Sequence, residues 1–153
     1  VLHYVAAGSC ELVIYVYLIN LLVIGLAVLI HHEFLYRITL LMPLLNIRHR
    51  FRIVLGVFFA LTAHTVEVWI FGIAFYVMNK SEAWGSLEGN FDGSLLDCVY
   101  FSFTSYTTLG TGDIVPFGDL RFLAALESLT GLVLITWTAS FLYLEMTRYW
   151  DAR

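Results

Sequence analysis

Seven residues, Thr107-Thr108-Leu109-Gly110-Thr111-Gly112-Asp113, lie between two long apolar runs and constrain the fold more than any other part of the chain. Irregular backbone is tolerated at membrane depth only where it is buried in protein or lines a watery path. A turn-prone strip so placed has its polar groups available to whatever passes along that path. Gly110 and Gly112 supply permissive backbone positions, so dihedrals can alternate between left- and right-handed regions and turn successive carbonyls the same way.

The membrane setting rests on composition. Of 153 residues, 60% are hydrophobic and 13% charged, far from the balance of a soluble domain. The apolar residues are gathered into long runs, so a membrane protein is the leading class. Only two prolines occur, which suits long uninterrupted helices. The net charge of -4 carries little weight, because the placement of charge decides topology. Cys10 and Cys98 lie in an N-terminal flank and near the strip, a poor basis for an intrachain disulfide framework. The sequence opens on Val1 rather than Met, which fits processing or trimming.

Three spans are predicted. Leu12 to Ile30 has the length needed to cross the hydrocarbon core. No Lys or Arg precedes it and no small-residue cleavage site follows, so it reads as a retained helix rather than a signal peptide. Ile53 to Met78 is the second span and Phe122 to Leu144 the third. Between the first two, His31 to Arg52 holds Arg37, Arg48, Arg50 and Arg52, half of the eight Lys and Arg, which places this linker in the cytoplasm. It reads either as an ordinary basic loop or, from the spacing of Phe34, Leu35, Ile38, Leu41 and Leu45, as a helix along the bilayer surface. The N-terminus and the turret Asn79 to Gly93, with Glu82, Glu88 and Asp92 against Lys80, are then outside. The C-terminus, with Arg148 and Arg153, is cytoplasmic. Ser94-Leu95-Leu96-Asp97 has the form of a capping box, and the run from Cys98 to Thr107 is too short to span, so it predicts a half-helix.

The strip with its half-helix and flanking spans resembles the potassium-channel superfamily of pore-loop cation channels. Family filters are loops of the TVGYG type, whose carbonyls replace the hydration shell of the ion. Here the same spacing reads Thr108-Leu109-Gly110-Thr111-Gly112, followed by the acidic Asp113 at the filter mouth. Tyr100 to Tyr106 occupies the pore-helix positions, with aromatics where the family has its bracing pair, Pro116 follows the filter, and Gly131 falls close to the inner-helix hinge. The match covers roughly Phe51 to Met146. The resemblance implies an all-α membrane protein of three transmembrane helices plus a re-entrant half-helix and filter loop. It divides the chain into an extra helix with its basic linker (1–50) and a pore domain (51–153). It implies a homotetramer, because one chain carries one filter strip. It implies a monovalent cation, potassium, at the filter and at no other metal site, with no cofactor. Expected partners are copies of the chain and membrane lipids, not nucleic acid or a small-molecule substrate, and the expected location is the cell (inner) membrane. The half-helix would aim its partly negative C-terminus at the cavity and favour a cation there.

The departure is Thr111, where the family usually has Tyr. That ring holds the filter at its diameter, so Thr leaves a void unless Tyr100 or Phe101 fills it. Potassium selectivity is the property this puts at stake, and a non-selective sodium and potassium channel is the alternative reading. Leu109 is expected to face back into the protein as a brace.

Ionisable residues inside spans are functional hypotheses by default. His64 and Glu67, at i and i+3, share a helix face and are expected to pair, as a packed polar contact or as a proton sensor. Two ligands alone do not make a metal site. Glu127 is expected behind the filter or at a subunit seam. Thr130, Leu134, Thr138 and Phe141 recur at helical spacing and are expected to line a cavity or gate. His31, His32 and Glu33 have the residue types of a metal cluster but read as the solvated end of the first helix. Arg48, Arg50 and Arg52 are not spaced as a voltage sensor is. No nucleophile–base pair or full ligand set is visible, so an enzyme is not expected.

Overall fold

A computed structural model describes residues 2–44, 49–81 and 83–150, with side chains for 14–44, 51–81 and 83–147. Arg48, Glu82 and Arg153, and the side chains of Cys10, Arg50 and Arg148, lie outside the described residues. Four helices and two short strands follow in the order α1 (Leu2–Leu44), α2 (His49–Lys80), β1 (Leu87–Gly89), α3 (Leu95–Tyr106), β2 (Ile114–Pro116) and α4 (Leu120–Trp150).

Three stretches are long and apolar enough to cross a membrane: Ile14–Leu44, Phe51–Lys80 and Leu120–Thr147. At most 33% of the most apolar window in each is buried inside the chain, so their outward faces are apolar as well. A helix apolar all round belongs in lipid or against other helices. The chain is therefore an integral membrane protein of the all-α kind.

The first span differs from its expected bounds. No loop begins at His31; α1 continues through this stretch to Leu44. The reason is packing, since Leu35, Ile38 and Met42 form a second small core against Leu55, Phe59 and Phe141. Contacts along its length set its direction. Tyr17 meets Phe122 at 5.2 Å between ring centroids, His31 meets Thr138, and Met42 lies against the region of Phe141. Helix α1 thus runs parallel to α4 and antiparallel to α2.

The half-helix α3 lies between α2 and α4. Ser94 caps it by accepting from the Asp97 amide at 3.1 Å. The second half of the expected box is absent. Asp97 instead accepts from the Asp92 amide at 2.9 Å, and the Ser94 amide donates to Asp92 at 2.7 Å. The main core, including Phe71, Phe75, Phe101, Tyr106, Leu120 and Leu123, packs around α3. Close approach at Gly72 helps seat it: a Cβ there would lie 2.7 Å from the Val99 side chain and 2.9 Å from its Cα.

The expected turret is more ordered than a polar loop. Strand β1 pairs antiparallel with β2, Glu88 opposite Val115 and Gly89 opposite Ile114. Gly85 (φ +119) makes the crossing possible, because a Cβ there would sit 2.0 Å from the Phe117 carbonyl oxygen. The segment after the strip is thereby tied to the segment before the half-helix.

Candidate ion pathway

Helix α3 ends at Tyr106, and the strip turns away from it. The Thr108 amide donates to the Ser105 carbonyl at 3.0 Å and the Gly110 amide to that of Thr104 at 3.2 Å. Positive φ then falls on every second residue: Thr108 (57°), Gly110 (56°) and Gly112 (76°). Glycine adopts this region at little steric cost, whereas a β-branched threonine does so only when its surroundings hold it there. Such an alternation of hand is what a strip needs if successive carbonyls are to face one side.

The residues from Thr107 to Gly112 are exposed in the single chain. Leu109, expected to face inward, is 70% exposed and braces nothing within its own chain. The reason is that its neighbours Thr108 and Gly110 take the left-handed turns and leave it on the open side.

Behind the strip, Tyr100 reaches the place left by Thr111. Its hydroxyl donates to Asp113 Oδ2 at 3.0 Å and lies 3.4 Å from Thr111 Oγ1. The Thr111 hydroxyl donates to Asp113 Oδ1. These bonds, that from Thr111 foremost and that from Tyr100 after it, hold the Asp113 carboxyl below the usual carboxylate range. Phe101 points the other way, buried edge-on to Phe75 with centroids 4.9 Å apart.

Helix α4 is bound to α3 at three levels. The Ser102 hydroxyl contacts both the Val68 carbonyl at 2.8 Å and Glu127 Oε1. Glu127 is fully buried behind the half-helix. Ser128 donates to the Ser105 carbonyl at 2.8 Å. At Gly131 a Cβ would lie 2.2 Å from the Tyr106 carbonyl oxygen. Close packing alone therefore requires glycine at 131, the position expected to act as a hinge.

The expected cavity stripe faces the wrong way. Thr130, Leu134 and Thr138 are buried inside their own chain, and Phe141 packs on the second core. The face of α4 left open carries Leu129, Leu132, Thr136 and Ser140 instead. The physical reason is α1, which occupies the groove between α2 and α4 and covers the Thr138 side.

His31 is the largest correction. It is not a solvated helix end but fully buried, with Nδ1 2.8 Å from Glu67 Oε1. The neighbouring His32 is exposed, and Glu33 pairs with Arg37 at 2.6 Å on the surface. His64 does meet Glu67, Nδ1 to Oε2 at 3.0 Å, but the pair is part of a larger cluster. Tyr106 donates to Glu67 Oε2 and its hydroxyl lies 2.9 Å from His64 Nδ1. Thr138 Oγ1 lies 3.1 Å from His64 Nε2 and 3.3 Å from His31 Nε2. One signal for His31 was present in the sequence. Val16, Asn20, Val23, Ala27, His31, Leu35, Ile38 and Met42, all buried, recur at three- and four-residue steps, and Asn20 and His31 are the only polar members.

A short half-helix seated between two spanning helices, followed by a strip of alternating backbone hand, defines a pore-loop membrane channel. Residues 63–148 match the family described as ion channel, more than half of the chain, and the chain belongs to that family within the potassium-channel-like superfamily. No curated protein and no solved structure shows significant similarity to it.

Proposed function

We propose that this channel conducts potassium passively through a filter formed by Thr108, Leu109, Gly110, Thr111 and Gly112, with Asp113 at its mouth. The observation that carries this is the positive φ on every second residue, directly after a half-helix and flanked by two spans. Such a strip offers a row of carbonyls in place of an ion's water shell. A ring of carbonyls around one axis needs several copies, and a homotetramer of identical chains supplies them. The exposure of the strip and of the Leu129–Thr136–Ser140 face supports this reading, since these surfaces are free for other copies and for the aqueous path. The N-terminus and turret lie outside and the C-terminus in the cytoplasm of a cell (inner) membrane.

Tyr100 favours selectivity. Its hydrogen bond to Asp113 and its approach to Thr111 tie the half-helix to the filter mouth, the work a filter tyrosine would otherwise do. The second reading, a non-selective sodium and potassium channel, follows from the smaller side chain of Thr111 itself. Reconstituted bilayer recording with asymmetric potassium and sodium separates them. We expect a reversal potential near that of potassium; a value near zero would establish the non-selective channel, and no current at all would refute the filter.

A further inference from the structure

We propose that His31, His64 and Glu67, with the phenol oxygen of Tyr106, bind one divalent transition-metal ion, zinc by ligand chemistry, and so clamp the extra helix to the base of the pore loop.

The donors converge from separate parts of the chain. His31 comes from α1, His64 and Glu67 from α2, and one ligand atom from each of the three lies within 4.8 Å of the others. Tyr106 brings a fourth donor, a phenol oxygen, from the end of α3, hydrogen-bonded to Glu67 and 2.9 Å from His64 Nδ1. Two imidazoles and a carboxylate are a known zinc ligand set, and an additional oxygen completes four-coordination. With bonds of about 2.0–2.1 Å, tetrahedral donors stand ~3.3–3.4 Å apart. The present His–Glu separations are 2.8 Å to Oε1 and 3.0 Å to Oε2, and Tyr106 lies closer to Oε2 still, so the donors must spread to admit the ion, the Tyr106 phenol by the most.

The ring nitrogens that face away from Glu67 already have the partner a metal site needs. Both Nε2 atoms face Thr138 Oγ1, His64 at 3.1 Å and His31 at 3.3 Å. With the metal bound at both Nδ1 atoms, the ring protons reside on Nε2. The two lone pairs of Thr138 Oγ1 then accept both N–H groups, the outer-shell arrangement that orients metal-binding histidines. Charge also closes. The Tyr106 proton leaves to solvent, and one carboxylate and one phenolate neutralise the 2+ ion, so no net charge is left among residues at most 1% exposed, His31, Glu67 and Tyr106.

The clamp has a defined point of action. The Tyr106 carbonyl touches α4 at Gly131, and its next residue begins the strip. A metal bound here joins α1, α2 and α3 around the residue that ends the half-helix. This inference depends on the packing of the helices and not on which ion the filter passes, and its test reads metal rather than current.

Purified protein in nanodiscs, stripped with a chelator, is titrated with cobalt(II) and separately with zinc. We expect about one ion per chain with a visible cobalt band of tetrahedral type, and a higher Tm with zinc. His31→Gln and His64→Gln should each weaken binding at least ~10-fold, and Thr138→Val about 10–100-fold with the stoichiometry kept. His32→Gln, on the exposed face, should leave binding unchanged. If the unmodified chain takes up no cobalt or zinc and its Tm does not move, the proposal fails whatever the variants do, and the cluster is a proton-sharing network. A tetrahedral band retained by the His31→Gln, His64→Gln double variant overturns it equally, by placing the metal elsewhere.

Discussion

The Glu67 cluster and the Thr107–Asp113 strip handle polar groups in opposite ways. The cluster gathers side chains from four helices, with partners up to 107 residues apart, and surrounds its carboxylate with donors inside one chain. The strip is contiguous in sequence and leaves most of its residues exposed. Burial without water demands internal satisfaction, because an unpaired polar group in a low-dielectric interior is expensive. Backbone that is to meet an ion, as proposed for the strip, must instead stay open. A polar cluster closed within the chain therefore reads as a fastening, whereas the strip leaves its polar backbone open.

The largest expected effect strikes the open side. Gly110→Ala should abolish current, because φ of 56° is strained for any residue with a Cβ. A Cβ there meets nothing within 4 Å, so folding should change by only ~1–2 kcal/mol. Bilayer recording with a parallel thermal melt checks both halves; normal selective current would show that the strip is not the filter.

Gly131→Ala should act oppositely, on stability before current. Its Cβ would lie 2.2 Å from the Tyr106 carbonyl oxygen, backbone that yields only by shifting α4. We expect a loss of roughly 1–3 kcal/mol, as for overpacking. An unchanged Tm with altered open probability would restore the hinge reading.

Within the cluster, Glu67→Leu should cost more than His64→Leu. Glu67 removal takes the shared acceptor from His31, His64 and Tyr106, at about 1–3 kcal/mol for buried groups left unpaired. Losing His64 leaves the carboxylate two donors. Thermal unfolding in detergent ranks the two, and a reversed order would mean that His64, not Glu67, organises the site.

Thr111→Tyr should reduce current without improving selectivity, since Tyr100 already reaches the space beside it. The strain is of the order of 1–3 kcal/mol, relieved in part by the open face of the loop. Sharper potassium discrimination in the mutant would show instead that the native filter is loose.

The smallest effect concerns pH at the mouth. The Asp113 carboxyl is held below its usual range, by Thr111 first and then Tyr100. A depressed carboxyl contributes stabilisation above its unfolded pKa and loses it as pH falls through its folded one. Current should therefore hold from neutral pH down through the ordinary carboxylate range and fall only below it. Tyr100→Phe should move that fall to higher pH. Titration of single-channel current against external pH measures the shift, and a parent channel that already fails near neutrality would break the link.

Much of the region from α2 to α4 was legible in the sequence because its signals are local. Spans are set by apolar length, the half-helix by Ser94 and a short run, and the strip by glycines two apart. The paired strands were not legible, since three-residue elements joined across the half-helix leave no periodic trace; Gly85, Gly89 and Gly118 take positive φ at the crossing.

What the sequence determined by itself was membrane residence, the number of spans and the position of the strip, each following from hydropathy or from backbone freedom of a few adjacent residues. Only tertiary structure decided which face of each helix points inward. In helices apolar all round, hydrophobicity does not distinguish lipid from protein as a neighbour, so the pattern carries almost no orientation. Thr138, at a spacing that suits a cavity, thus lies beneath α1, and His31, at a place that suits a solvated helix end, lies against Glu67. The packing of α1 between α2 and α4 is what brings His31 to Glu67 and covers Thr138.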